Sequence, residues 1–293
     1  MDEPASEDQR YVARAGQTRR ALLGAAAAMV SGCVMRRGPV GQGLKLAAES
    51  SPPFEASDPS WRRKLLYAAE DADIIWSILG RKFGLRENQL TPLWETNTVA
   101  FSKIRYGARG AYSVTTLEVV FYTELGSHRR LQNWLNPYTG TTRKVFLPDP
   151  QPVTSACDAA SHCERNVPES LSIAEVESEP YWLGDHLWAH SEKRIEVRAT
   201  NADRPAFTST EFLAYQGNRA ELAHETVPAA SLNLEIISDW LPWMDMAEQE
   251  GGLYTRASGS KLRTPDELPG STLQLLQSHF PKIARNPFQF SQA

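Results

Sequence analysis

The chain has 293 residues, with 31 Lys plus Arg against 35 Asp plus Glu, 41% hydrophobic and 9% aromatic. This is the balance of a globular protein, and it argues against a nucleic-acid binder, which neutralises phosphates with clustered Lys and Arg. No run reaches the roughly 20 apolar residues that a membrane-spanning helix needs.

The N-terminal residues read as an address. Thr18-Arg19-Arg20-Ala21-Leu22-Leu23 sets two arginines directly before an apolar run, Ala21 to Ser31, too short to span a bilayer but long enough for a signal core. This resembles a twin-arginine export signal. Val30-Ser31-Gly32-Cys33 follows and resembles a bacterial lipobox, in which small residues admit the peptidase and the cysteine thiol takes the lipid; ordinary cleavage after a small-residue pair is the alternative. Val34, where aspartate would retain the protein at the inner membrane, points to the outer membrane with the domain facing the periplasm. The expected organisation is a signal peptide over 1–32, a lipidated Cys33 with a Gly/Pro-rich tether to 57, and a single β-rich domain over 58–293. Such a tether spans on the order of 25–30 Å.

From Asp58 the apolar period is two rather than 3.6. Pro59-Ser60 opens a helix predicted over Trp61 to Asp71, and Ile74 to Leu79 reads as a strand ending near Gly80 and Gly84, with a helix continuing from Trp61 as the alternative. Val99–Arg105 and Tyr112–Thr123 are strands split by Gly107-Ala108-Arg109-Gly110, a hairpin signal. The second carries Tyr112, Val114, Thr116, Glu118, Val120 and Tyr122 on one face and Leu117, Val119 and Phe121 on the other, as suits a long central strand. Arg129–Leu135 and Thr141–Val145 flank Asn136-Pro137-Tyr138-Thr139-Gly140, where Pro presets the turn and Gly closes it. Cys157 and Cys163, in a polar Pro-bounded stretch, read as a disulfide worth about 2 kcal/mol, a local clip. Zinc would want a second pair. Tyr181–His190, Arg194–Thr200, Phe207–Gln216 and Ser231–Trp240 continue as strands, with Gly217-Asn218 as a turn, and Thr272–Phe280 returns to helix. The fold class expected is mainly β, an antiparallel barrel or strongly curved sheet with a few peripheral helices.

Several of these segments together carry a resemblance. Glu118-Val119-Val120-Phe121-Tyr122, Trp134-x-Asn136-Pro137-Tyr138-Thr139-Gly140, Trp240-x-Pro242-Trp243-Met244-x-Met246, Gly252-Leu253, Lys261-Leu262 and Leu268-Pro269 are similar to the bacterial and fungal domain of unknown function 1838, over about 61 to 287. Where that family usually has an aspartate and a Thr-Gly pair after the tyrosine of the long strand, this chain has Glu124 and Gly126-Ser127. The resemblance implies fold and extent, not chemistry.

Candidate chemistry is sparse. Glu118, sharing a strand face with Tyr122, is a candidate buried acid or base, with an ion pair to Arg105 across the hairpin as the alternative. His186 is a second candidate acid or base. His186 and His190 would share a helix face, but on a strand they stand roughly 13 Å apart with Trp188 between them, too far for one metal ion. No nucleophile elbow, phosphate loop or dinucleotide fingerprint is present, and neither a cofactor nor a metal is expected. Two functions stay open. One is a lipid-anchored periplasmic barrel binding an apolar or aromatic small molecule through Arg105, Tyr122, Trp134, Tyr138 and Trp188. The other is a cofactor-independent isomerase, cyclase, lyase or hydratase using Glu118 or His186 in the same cavity.

Overall fold

A computed structural model describes residues 58–166, 170–198, 206–246 and 248–290, so the export signal, Cys33 and the tether lie outside the described residues. Helix α1 (Pro59–Leu66) starts where Asp58 accepts a hydrogen bond from the Ser60 amide at 2.8 Å, with Pro59 in the first turn. It is shorter than the Trp61–Asp71 expected, because Tyr67 leaves helical geometry and the chain turns into the sheet. At its end the Lys261 ammonium donates to the carbonyls of Lys64, Leu65 and Tyr67 at 2.7, 3.0 and 2.9 Å, satisfying acceptors that the last turn leaves free.

The strands are β1 (Ala72–Arg86), β2 (Gln89–Tyr106), β3 (Tyr112–Thr123), β4 (Asn133–Leu135), β5 (Thr142–Lys144), β6 (Pro152–Cys157), β7 (Cys163–Asn166), β8 (Leu171–Glu177), β9 (Tyr181–Leu183), β10 (His186–Val197), β11 (Phe207–Asn218), β12 (Ala230–Ser238) and β13 (Gly252–Leu262). The other α-helices among the described residues are α2 (Arg219–His224), α3 (Gly270–His279) and α4 (Pro281–Arg285). One antiparallel sheet runs β7-β6-β3-β2-β1-β13-β12-β11-β10-β8, with β9 added to β10, while β4 and β5 form a separate hairpin. The sheet curls into a half-barrel, and its two ends meet through an ion pair between Arg165 on β7 and Glu175 on β8.

The expected mainly-β class is therefore correct, with several local differences. Strand β1 continues through Gly80 and Gly84, with a register shift against β2 between Lys82 and Phe83, to a two-residue turn, Glu87-Asn88, in which both residues have positive φ (51° and 61°). This is the geometry of a primed hairpin turn, here without the usual Asn-Gly pair, which is why composition did not reveal it. Gly217-Asn218 ends β11 instead of forming a turn, because Gly217 packs flat beneath Leu65 of α1 and Leu222 of α2. Strands β6, β7, β8 and β13 were not anticipated: they are short, polar or Gly-interrupted, and only their neighbours make them strands. Arg129–Leu135 yields only the three residues of β4. Cys157 and Cys163 are a directly paired cross-strand position of β6 and β7 and form the expected disulfide.

Three apolar clusters hold the curl. Trp61, Leu65, Ile74, Trp76, Ile104, Leu187, Leu213 and Leu232 seal one end of the concave interior beneath α1. Trp94, Trp134, Trp240, Met244 and Met246 plug the other end. On the convex face Ile75, Val99, Phe101, Val119 and Phe121 pack against α3 through Leu275 and Leu276, beside a buried Asn97–Thr272 hydrogen bond of 2.8 Å.

Candidate functional site

The pairing register decides which side chains enter the curl. On β1 the inward series is Ile74, Trp76, Ile78, Gly80, Lys82 and Gly84, and their partners across β2 are Ser102, Ala100, Thr98, Thr96, Trp94 and Thr91. Ala100 pairs with Glu118 and Thr96 with Tyr122, so the even-numbered residues of β3 share one face, as alternation required, and the register turns that face inward. From the opposite wall Leu213, Glu211 and Ser209 of β11 pair with Ser191, Lys193 and Ile195 of β10, and Lys193 pairs with Glu175 of β8. Lys82, Glu118, Glu211, Lys193 and Tyr122 thus come from four strands on both walls into one interior.

Charges here are opposed but incompletely neutralised. Lys193 and Glu211 stand 3.8 Å apart. Glu118 shares its strand face with Tyr122 and is exposed. Desolvation by the surrounding protein raises its pKa above the ordinary carboxylate value, Glu211 raises it further, and Lys193 opposes both. Burial pushes the Lys82 ammonium down to about 8, against a pull upward from Glu211. Tyr122 is pushed up to about 12 by burial and by the Glu118 charge. The Lys82 nitrogen lies 5.9 Å from the Tyr122 ring centre, over its face.

Aromatic rings wall the same end. Trp94 stands 5.5 Å from Tyr122, 5.3 Å from Trp134 and 5.4 Å from Trp243, centre to centre. In the register row of Lys82, Trp94 lies on one side and Thr255 on the other. The Trp94 indole nitrogen and the Thr255 hydroxyl are both buried without a hydrogen-bond partner among the described residues, as is the Ser191 hydroxyl on the far wall. Buried donors are seldom left unpaired, so these atoms keep hydrogen-bonding capacity that the described residues do not use. On the edge of β3 away from β2, the last β3–β6 pair is Leu117 with Pro152 and backbone contact resumes at Tyr122 and Thr123, so among the described residues Glu118–Phe121 has no strand on that edge.

The residues nominated from sequence divide between the two faces. Glu118 and Tyr122 meet inside the curl, and Trp134 joins the aromatic plug above them. Tyr138 belongs to that cluster too, but its ring faces Trp240 at 5.5 Å and its hydroxyl is pressed onto Gly84. Arg105 does not pair with Glu118. It points to the other face, where it binds the Asp73 carboxylate at 2.7 Å and the Ala72 carbonyl at 3.0 Å. His186 and Trp188 lie on the convex face, where Trp188 stacks on His190 and His190 on Tyr181. Among the described residues no group of three or more His, Cys, Asp or Glu could hold a metal ion. Lys82, Glu211, Lys193, Trp94 and Trp243 were missed. Carrying the period of two through Gly80 would have put Lys82 on the Trp76 face, and the same count puts Glu211 with Leu213 and Tyr215.

Two hollows lie elsewhere on the molecule. One of about 450 Å³ lies between Leu117, Pro152, Ile283 and Phe290, and one of about 360 Å³ lies over His190, Phe212, Asn233 and Glu235 on the convex face. Neither gathers opposed charges from separate walls.

Fold and site together define a class: a curled antiparallel half-barrel with a charged interior and an aromatic plug. The chain belongs to the family described as "Protein of unknown function (DUF1838)", whose model matches residues 84–293, starting within β1 and so later than the motif resemblance suggested. The search of curated proteins finds no match. Among solved structures the chain is similar to Rv2717c from M. tuberculosis at 11% identity, over 64% of this chain and 91% of that one, with a TM-score of 0.25. A likeness that low decides nothing about fold or function. Among the described residues no helix is long and apolar enough to cross a membrane.

Proposed function

We propose that the interior of the curl binds a small molecule with an apolar or aromatic body and one polar group, in a protein exported by the twin-arginine route and held to the outer membrane through lipid on Cys33. The observation that carries the binding reading is the junction of the two linings. The Trp94, Tyr122 and Trp243 rings give way along one face to Lys82, Glu118 and Glu211, with unpaired buried donors on Trp94 and Thr255. Pockets for small molecules are largely apolar with a few convergent polar groups, and this interior has that composition. The export reading is supported by the Arg19-Arg20 pair, its short apolar run and Cys33.

A specific observation favours a second reading, cofactor-independent acid–base catalysis. Desolvation by the surrounding protein raises the pKa of Glu118, and on the edge away from β2 no strand among the described residues covers it, which suits a carboxyl that exchanges a proton with a bound molecule. His186, on the opposite face of the sheet, has no part in it.

Native mass spectrometry of protein purified from its own cell envelope tests for a retained guest. Quenching of tryptophan fluorescence by benzyl alcohol and related small aromatics then locates it. Tyr122→Ala should weaken binding by about tenfold or more, in the range of a lost aromatic anchor, whereas Trp188→Ala on the convex face should leave it unchanged. The reverse pattern removes the interior as the site.

A further inference from the structure

The structure has two buried lysines in strands of the sheet, and they are not equivalent. Lys261 is spent: its three donors reach the Lys64, Leu65 and Tyr67 carbonyls and close the end of α1. Lys82 is 7% exposed and, among the described residues, makes no hydrogen bond or ion pair; its nearest recorded neighbour is the face of Tyr122. It projects into the curl from the middle of the wall, between Trp94 and Thr255, whose buried indole N–H and hydroxyl also lack partners. An amine and two donors, all buried and all unspent, stand in one register row of three adjacent strands.

We propose that Lys82 is a covalent anchor for a carbonyl compound, condensing with an aromatic aldehyde or ketone to form an imine, with Trp94 and Thr255 receiving the oxygen of the intermediate. This rests on the reading of the curl as a small-molecule site and names its ligand class. The neutral amine attacks the carbonyl carbon, a C–N bond forms, and the π pair moves onto oxygen. A proton passes from nitrogen to that oxygen to give a carbinolamine. Water then leaves with the former carbonyl oxygen and the C=N bond closes, so amine plus carbonyl becomes imine plus water with no oxidant or reductant. Burial favours the step by holding a large share of Lys82 neutral, since its pKa is brought to about 8. The Trp94 and Tyr122 rings select a flat, apolar body on the carbonyl.

Incubation of the folded protein with benzaldehyde and sodium cyanoborohydride, followed by peptide mapping, reads the imine as a stable benzyl group on the lysine that formed it. Lys82 should label at least about tenfold faster than any exposed lysine near pH 8, because ordinary lysines are almost wholly charged there. Lys261 should stay unlabelled, and excess benzyl alcohol, which binds but cannot condense, should slow the labelling of Lys82. Lys82→Arg and Lys82→Met should both abolish that label, with thermal melts confirming that each variant folds. Labelling spread over exposed lysines with Lys82 no faster, or Lys261 labelled as fast as Lys82, overturns the proposal. If benzyl alcohol binds in a Tyr122-dependent way while Lys82 stays unlabelled, the covalent step fails and the binding site survives. If benzyl alcohol neither binds nor protects, the site reading itself fails.

Discussion

Tyr138 and Gly84 show how one side chain can be committed to packing at a place where sequence suggests a ligand contact. The Tyr138 hydroxyl is buried without a partner and lies where a Gly84 side chain would begin, while its ring meets Trp240 and the Arg86 guanidinium. A buried hydroxyl without a hydrogen bond is a cost, so removing it should not weaken the fold. Tyr138→Phe is expected to melt at or above the wild-type temperature. Gly84→Ala should be clearly destabilised by collision with that oxygen, and Tyr138→Phe should restore part of the loss. A double-mutant cycle by denaturant unfolding is expected to show a coupling of at least about 1 kcal/mol between the two positions. Additive effects would mean that the contact is not tight.

Among the elements, the turn Asn136–Gly140 is fixed by its own chemistry. Asn136 is fully buried, its side-chain oxygen accepts from the Tyr138 amide at 2.9 Å, and its carbonyl accepts from the Gly140 amide at 2.9 Å. The Asn136 side-chain amide also reaches the Met246 sulfur at 3.1 Å, tying the β4–β5 hairpin to the Trp/Met plug. Gly140 has a φ of +70°, and nothing lies within 4 Å of where its side chain would start. Gly140→Val therefore meets backbone strain and no collision, and should cost about 1–2 kcal/mol. Gly140→Asn, whose residue tolerates the left-handed region, should cost less than half of that, with both read from chemical denaturation.

For the whole molecule, the charged interior makes stability depend on pH in a direction set by Lys82. Its folded pKa of about 8 lies below its ordinary 10.5, so between these values the unfolded chain binds a proton that the folded one does not. Stability contributed through this group consequently rises as pH rises through that window, by up to about 1.4 kcal/mol per unit. Tyr122 acts oppositely and later, because a folded pKa of about 12 against 10.0 makes it lose stability as pH rises above 10. The expected result is a wild-type stability, relative to Lys82→Met, that climbs from pH 8 to about 10. A flat difference would place the Lys82 ammonium in water. At the same scale, the mature chain should begin at an acylated Cys33, and Arg19→Lys with Arg20→Lys should leave folded protein in the cytoplasm, because the export machinery reads the guanidinium pair. Intact mass and cell fractionation check the two expectations.

Local alternation by itself determined β3 to its end residues and put Glu118 and Tyr122 on one face, because a strand has a strict period of two, while the sheet's curl decided that this face is the inward one. The Asn136–Gly140 turn and the Cys157–Cys163 pair were legible for the same kind of reason, since each depends on residues a few positions apart. Strand β13 was not, because Gly252, Gly259 and four polar residues of Thr255–Ser260 give it no apolar period; it is a strand only because β1 and β12 supply hydrogen bonds on both sides. The site was legible on one wall alone. Lys193 and Glu211 face Glu118 from positions 75 and 93 residues further along the chain, and no local pattern encodes which strands a curled sheet brings face to face. Arg105 and His186 carry suitable chemistry, but the register turns one toward Asp73 and the other to the convex face. Side-chain chemistry and its period along a strand belong to the sequence, whereas partnership across the interior is set by sheet order and curl, which only the assembled tertiary structure decides.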